Sequence, residues 1–134
     1  NINWEKDRYL REGYLLQKEF HGEHLRVNLI NDAFCIFFHK NNSLVEDDDI
    51  LIDFYKMNIL NKLNLVVNEL GLNNFICKFD IILNKHNWVI LDIGLDPPSR
   101  LLKIYLDNNL NFYNFFVRNY LGDKLIFPFT KKFY

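Results

Sequence analysis

The sequence has no glycine-rich phosphate loop of the P-loop or dinucleotide type, only two cysteines, no excess of either charge and no long apolar run. Each absence removes a class of function. Without the glycine-rich loop there is no nest of backbone N–H groups of the kind those two nucleotide-binding motifs use. Cys35 and Cys77 are singletons within apolar, strand-like runs, so they read as small buried hydrophobes in a reducing compartment rather than as zinc ligands or nucleophiles. The 16 Lys plus Arg nearly balance the 17 Asp plus Glu, and the net charge of -1 sets up no field that would attract a polyanion. Arg8, Arg11, Lys18, Arg26 and Lys40 form no continuous basic stripe, so no nucleic-acid partner is expected. No apolar run has the length of a membrane span, and the opening NINWEKDRYLREG lacks the basic and apolar regions of a secretory signal. No membrane partner is expected, and the cytoplasm is the expected compartment.

What the chain does have is enough apolar material for one core. Of its 134 residues, 49% are hydrophobic and 16% aromatic, which predicts a single compact unit over residues 1–134, with some aromatic surface left to meet a partner. Gly13 to Phe20 reads as a short strand, followed by a turn at His21–His24 with Gly22 allowing a sharp reversal. The runs LRVNLI and AFCIFF, separated by Asn31-Asp32, predict a hairpin. His39 to Asp49 reads as a polar, acidic connection. From Ile52 onward the period becomes helical, with Ile59, Leu60, Leu63, Val66, Val67 and Leu70 on one face and a stop at Leu70-Gly71. FICKFDIIL and WVILDI, joined by Asn84–Asn87, predict a second hairpin, ended by Pro97 and Pro98. Ser99 then caps a helix whose apolar positions include Leu102, Tyr105 and Leu106, and an aromatic segment runs from Phe112 to Tyr120. The tail from Leu125 to Tyr134 reads as a last strand or a contact segment. The order predicts an α+β domain with a largely antiparallel sheet, because the strand pairs have connections too short for parallel crossovers.

The second hairpin carries the chemistry. Lys78 and Asp80 share a strand face by the period of two, and pairing across Asn84–Asn87 would bring Asp80 near Asp92. Asp92 lies among Val89, Ile90, Leu91 and Ile93, where a carboxylate needs a partner. Two carboxylates at one end of a sheet repel unless a cation, proton or base lies between them. Magnesium suits such a pair, taking carboxylate oxygens together with phosphate oxygens, and Lys78 could reach the same phosphate. The plainer alternative is a surface ion pair between Lys78 and Asp80, with Asp92 accepting hydrogen bonds from a loop. Arg26 has the planar fork for a carboxylate or phosphate, and equally for an acidic residue of its own sheet. His21 and His24 have no third metal ligand nearby in sequence.

Taken together, GYLLQKEFHGEHLRVNLI and FICKFDIILNKHNWVILDIGLDPP resemble the strand-hinge-strand and the later acidic hairpin of the ATP-grasp fold, over about residues 13–99. The resemblance implies the carboxyl-terminal portion of a carboxylate-amine ligase, with ATP and magnesium as cofactors. It assigns Gln17, Lys18, Glu19 and Phe20 to the adenine hinge, Glu23 and His24 to the ribose edge, and Arg26 and Lys78 to basic catalytic positions. Asp80 and Asp92 match the metal carboxylates. The chain departs from the family at Gly94, where an Asn is usual, and Asp96 is the candidate replacement ligand.

The implied reaction is ATP-dependent activation of a small carboxylate as an acyl-phosphate, followed by attack of an amine. It needs no protein nucleophile, because positioning and cation electrostatics carry it. The implied partner is the missing N-terminal ATP-grasp portion or a separate subunit that completes the cleft. An ATP-grasp kinase and a non-catalytic α+β interaction module are the competing readings.

Overall fold

The computed structural model describes residues 19–30, 33–96 and 99–123. Four strands form one antiparallel sheet: β1 (Glu23–Ile30), β2 (Ala33–Phe38), β3 (Cys77–Leu83) and β4 (Trp88–Gly94), in spatial order β2-β1-β3-β4. Among the described residues there are four helices: α1 (Asp48–Lys56), α2 (Ile59–Glu69), α3 (Ser99–Asp107) and α4 (Phe112–Tyr120). The α+β class and both hairpins are therefore as the sequence predicts. The expected strand from Gly13 lies outside the described residues up to Lys18, and Glu19 and Phe20 are not in a strand. The Asn31-Asp32 turn, Pro97-Pro98 and the Leu125–Tyr134 tail also lie outside them.

Alternation sorts the strands onto two faces. Leu25, Val27 and Leu29 of β1, Phe34 and Ile36 of β2, and Cys77, Phe79, Ile81 and Leu83 of β3 pack under α1 and α2. The helices answer with Leu51 and Phe54 from α1 and Ile59, Leu63 and Val67 from α2, the latter at the spacing of one helical face. Burying each such side chain contributes roughly 1.5–3 kcal/mol. The opposite face carries a second cluster at one end only, where Ile30, Ala33, Cys35, Phe37 and Ile76 meet Leu101 and Tyr105 of α3 and Phe112 of α4. The rest of that face is mostly polar, with Ile82 and Val89 beside His24.

Local signals explain where the helices begin and end. The Asp47 carboxylate accepts from the Asp49 and Ile50 amides, so α1 starts inside the stretch expected to be a polar connection. A residue in left-handed conformation, Asn58 (φ 55°), separates α1 from α2 where the sequence reads as one continuous helix. Gly71 (φ 68°) stops α2 as expected. Leu70 and Leu106, however, are exposed rather than on the buried faces, because each falls at or near a helix end past the last packed turn. Gly22 lies at a bend just before β1, as the sequence predicts, but not through a left-handed backbone. Its φ is not positive; instead a Cβ there would stand 2.4 Å from the Leu83 carbonyl oxygen, so glycine is required by close approach to β3.

One irregularity sets the phase of β4. Asp80 pairs with Asp92 and Ile81 with Ile90, which leaves Leu91 as an extra residue in a bulge. Trp88, Ile90 and Ile93 pack toward the α1–α2 core, whereas Leu91 and Asp92 are exposed.

Candidate functional site

The polar half of the second sheet face is built from cross-strand rows. The central row is Arg26, Asp80 and Asp92, which are register partners on β1, β3 and β4. The next is Asn28, Lys78 and Gly94. On the other side of the central row, His24 pairs with Ile82. His39 follows directly on β2, and its amide donates to the His24 carbonyl at 3.0 Å. The topology therefore gathers residues from four separate sequence segments onto one side of the sheet.

Arg26 and Asp80 form a two-point ion pair. The guanidinium Nε donates to Asp80 Oδ1 at 2.8 Å and a terminal nitrogen donates to Oδ2 at 3.2 Å. Burial works against the Asp80 carboxylate, but the Arg26 hydrogen bonds and charge, together with His24 and His39, outweigh it and hold the carboxyl below its ordinary range. The Asp80 hydrogen bond raises the Arg26 pKa against the smaller effect of burial, with the charges of Asp80 and Asp92 adding to it. Of the two partners the sequence left open for Arg26, the sheet supplies the carboxylate.

Lys78 does not pair with Asp80. Its Nζ lies 3.6 Å from Asp96, which is largely exposed. The Lys78 side chain runs over Gly94, where a Cβ would stand 2.9 Å from the Lys78 Cε. Gly94 thus has a local physical reason: it leaves space for the lysine stem to cross β4. An ammonium occupies the position where the family resemblance expects an amide ligand.

His24 and His39 stack with ring centroids 4.0 Å apart and planes 6° from parallel. Burial, and then repulsion from His39, lowers the His24 pKa, with Asp80 partly opposing. The His24 Nε2 atom is enclosed and has no hydrogen-bond partner among the described residues. Ligand atoms of His24, His39 and Asp80 all lie within 4.8 Å of one another. Among the described residues no comparable trio forms from Asp80, Asp92 and Asp96. His39 escaped sequence reasoning because its nearness to His24 follows from the β1–β2 register, not from local spacing. The same register was available from the hairpin: Leu25 opposite Phe38 makes His24 and His39 the next pair.

The remaining expected residues lie at the edge of this face. Glu19 Oε1 lies 3.4 Å from His21 Nε2 with both side chains exposed, Phe20 is half-buried and Glu23 is exposed. Asn84, in the β3–β4 turn, donates to the His21 carbonyl and so fastens this segment beside the turn. Gln17 and Lys18 lie outside the described residues.

Chemically, the face can hold a cation between carboxylates and can offer cationic groups to an anion. Asp80 accepts one N–H at each oxygen and retains lone pairs on both, while Asp92 opposite it is open to solvent. That donor set fits one hard divalent ion, but Lys78 above Gly94 does not fit a second one. Comparison with known proteins adds no relative: no family model, no curated protein and no solved structure matches this chain.

Proposed function

We propose that this sheet face is one half of a magnesium-nucleotide site of the ATP-grasp kind, in a chain that forms part of a carboxylate-amine ligase. The observation that carries the reading is the row Arg26–Asp80–Asp92, which aligns a base and two carboxylates on three adjacent strands. In this reading Asp80 and Asp92 hold one Mg2+, whose chemistry is to offset charge on a transferring phosphoryl group. Lys78 supplies a further positive charge to the phosphates, and Arg26 holds Asp80 in its ionised form. Asp96 acts through Lys78, anchoring its ammonium, instead of replacing the missing amide ligand. Glu19, Phe20, Glu23 and His24 take the adenine and ribose roles in this reading, as do Gln17 and Lys18, which lie outside the described residues.

In this reading the opposite wall of the cleft belongs to an N-terminal ATP-grasp portion or to a partner subunit, and the substrates are a small carboxylate and an amine. Cytoplasmic residence is part of the same proposal; both cysteines, Cys35 and Cys77, are buried. No helix among the described residues is long and apolar enough to cross a membrane.

Calorimetric titration of magnesium-ATP into the chain tests the reading. Saturable binding weakened at least tenfold by Asp92→Asn is the expected result. Equal binding by both forms removes Asp92 from the site. No binding by the folded chain removes the claim that this half holds nucleotide unaided. A second reading, a non-catalytic interaction module, is favoured by α4, which leaves Tyr113, Val117 and Tyr120 exposed along one side. Absence of nucleotide binding would strengthen it.

A further inference from the structure

We propose that His24, His39 and Asp80 form a binding site for a divalent transition metal that does not use Asp92 and does not need nucleotide. Three observations converge on this assignment. The ligand atoms of the three side chains lie within 4.8 Å of one another. The two imidazoles are brought face to face by the backbone, through the β1–β2 register and the His39 amide bond to the His24 carbonyl, so their nearness is built into the sheet. The His24 Nε2 is an enclosed nitrogen without a hydrogen-bond partner among the described residues, a cost that a ligand would remove.

The donor set defines the class of ion. Two neutral imidazoles and a carboxylate suit Zn2+, Fe2+, Co2+ or Ni2+ and leave coordination positions for water. Magnesium prefers an all-oxygen shell and is a poor match for two of the three donors. Arg26 orients the carboxylate through its two hydrogen bonds, which is the role an outer-shell partner plays around a metal ligand. Parallel stacked rings direct their in-plane lone pairs side by side, so binding requires one ring to turn. His39 is exposed at the end of β2 and has the freedom to do so. The site thus closes by rotation of one side chain on a fixed backbone.

The site shares Asp80 and His24 with the nucleotide reading, whereas His39 belongs only to the metal site and Asp92 only to the nucleotide reading, and this separates the two experimentally. The chain, stripped with a chelator, is titrated with Co2+ while its visible d–d absorption is followed, and Zn2+ affinity is measured by competition with a chromophoric chelator. One equivalent of Co2+ should develop the absorption, and one equivalent of Zn2+ should abolish it. His39→Ala should weaken Zn2+ at least tenfold while leaving magnesium-ATP binding unchanged, and Asp92→Asn should leave Zn2+ affinity unchanged. His21→Ala and His86→Ala serve as controls, since both side chains are exposed and outside the trio. In the unmutated chain, Zn2+ should shift the imidazole proton resonances of His24 and His39 together. The proposal is overturned if no cobalt absorption develops, if His39→Ala binds Zn2+ as tightly as the parent, or if the resonances that shift are those of His21 or His86.

Discussion

Asp80 shows how one side chain can be tied to several neighbours. It is largely withdrawn from water, and Arg26 is the main group that favours its ionised form against burial, so its partner's removal has a cost beyond a lost surface contact. Exposed pairs contribute about 0–1 kcal/mol, and breaking a fully buried one costs about 3–5 kcal/mol. For this partly buried pair, Arg26→Met is expected to destabilise the chain by about 1–3 kcal/mol, measured by urea unfolding at pH 7. The difference should shrink in acid. A carboxylate whose folded pKa is depressed contributes stability that is present above its unfolded value near 3.9 and is lost as pH falls through the folded one. Unchanged stability at pH 7 would mean that Asp80 is solvated well enough to do without Arg26. The sequence made Arg26, Asp80 and Asp92 legible as chemistry. It left the pairing partner of Arg26 open because long-range register decides between a phosphate and a carboxylate on the neighbouring strand.

The secondary-structure elements were legible where periodicity was long and obscured where a single residue changed direction. Both hairpins, and the α2 face over Ile59, Leu63 and Val67, follow from alternation and helical spacing. The break at Asn58 does not, because the apolar pattern continues across it while the backbone turns left-handed. Nor does the bulge at Leu91, since a regular alternation counted from Trp88 would point Asp92 into the helix-covered core. Two glycines at or beside this sheet stand at close approaches of different kinds, and substitution should separate them. Gly22→Ala sets a methyl group against the β3 backbone and is expected to cost about 1–3 kcal/mol. Gly94→Ala meets only the end of the Lys78 side chain, which can swing away, and should cost less than about 1 kcal/mol while releasing the Lys78–Asp96 contact. Urea midpoints measured side by side check the order. A Gly94→Ala variant less stable than Gly22→Ala would contradict this account of both positions.

At the scale of the whole molecule, one sheet serves two apolar clusters, one on each face, and keeps a polar window beside the second. The clusters share strands: β1 and β2 contribute to both, and Ile76, just before β3, adds to the second. Composition foretold enough apolar material for a core, but not its division into two or the window left open where α3 and α4 stop short. Global stability should carry the mark of a thiol in the larger cluster. Burial pushes Cys77 up to about 11. Because the folded value is raised, its contribution is complete below the unfolded pKa, about 8.5, and is lost as pH rises toward the folded one. Urea unfolding between pH 8 and pH 11 should therefore show a decline that is shallower in Cys77→Ala, and identical slopes would remove Cys77 as its source.

The Leu91 bulge makes β4 tolerant of a change in length that the neighbouring strand cannot accept. Loss of the Leu91 codon would close the bulge into a regular ladder, with Ile90 and Ile93 still under the helices and Asp92 still facing Asp80. Loss of one codon within β3 would reverse the faces of every residue beyond it, so the reading frame of the site is held by β3, while β4 has one residue to spare.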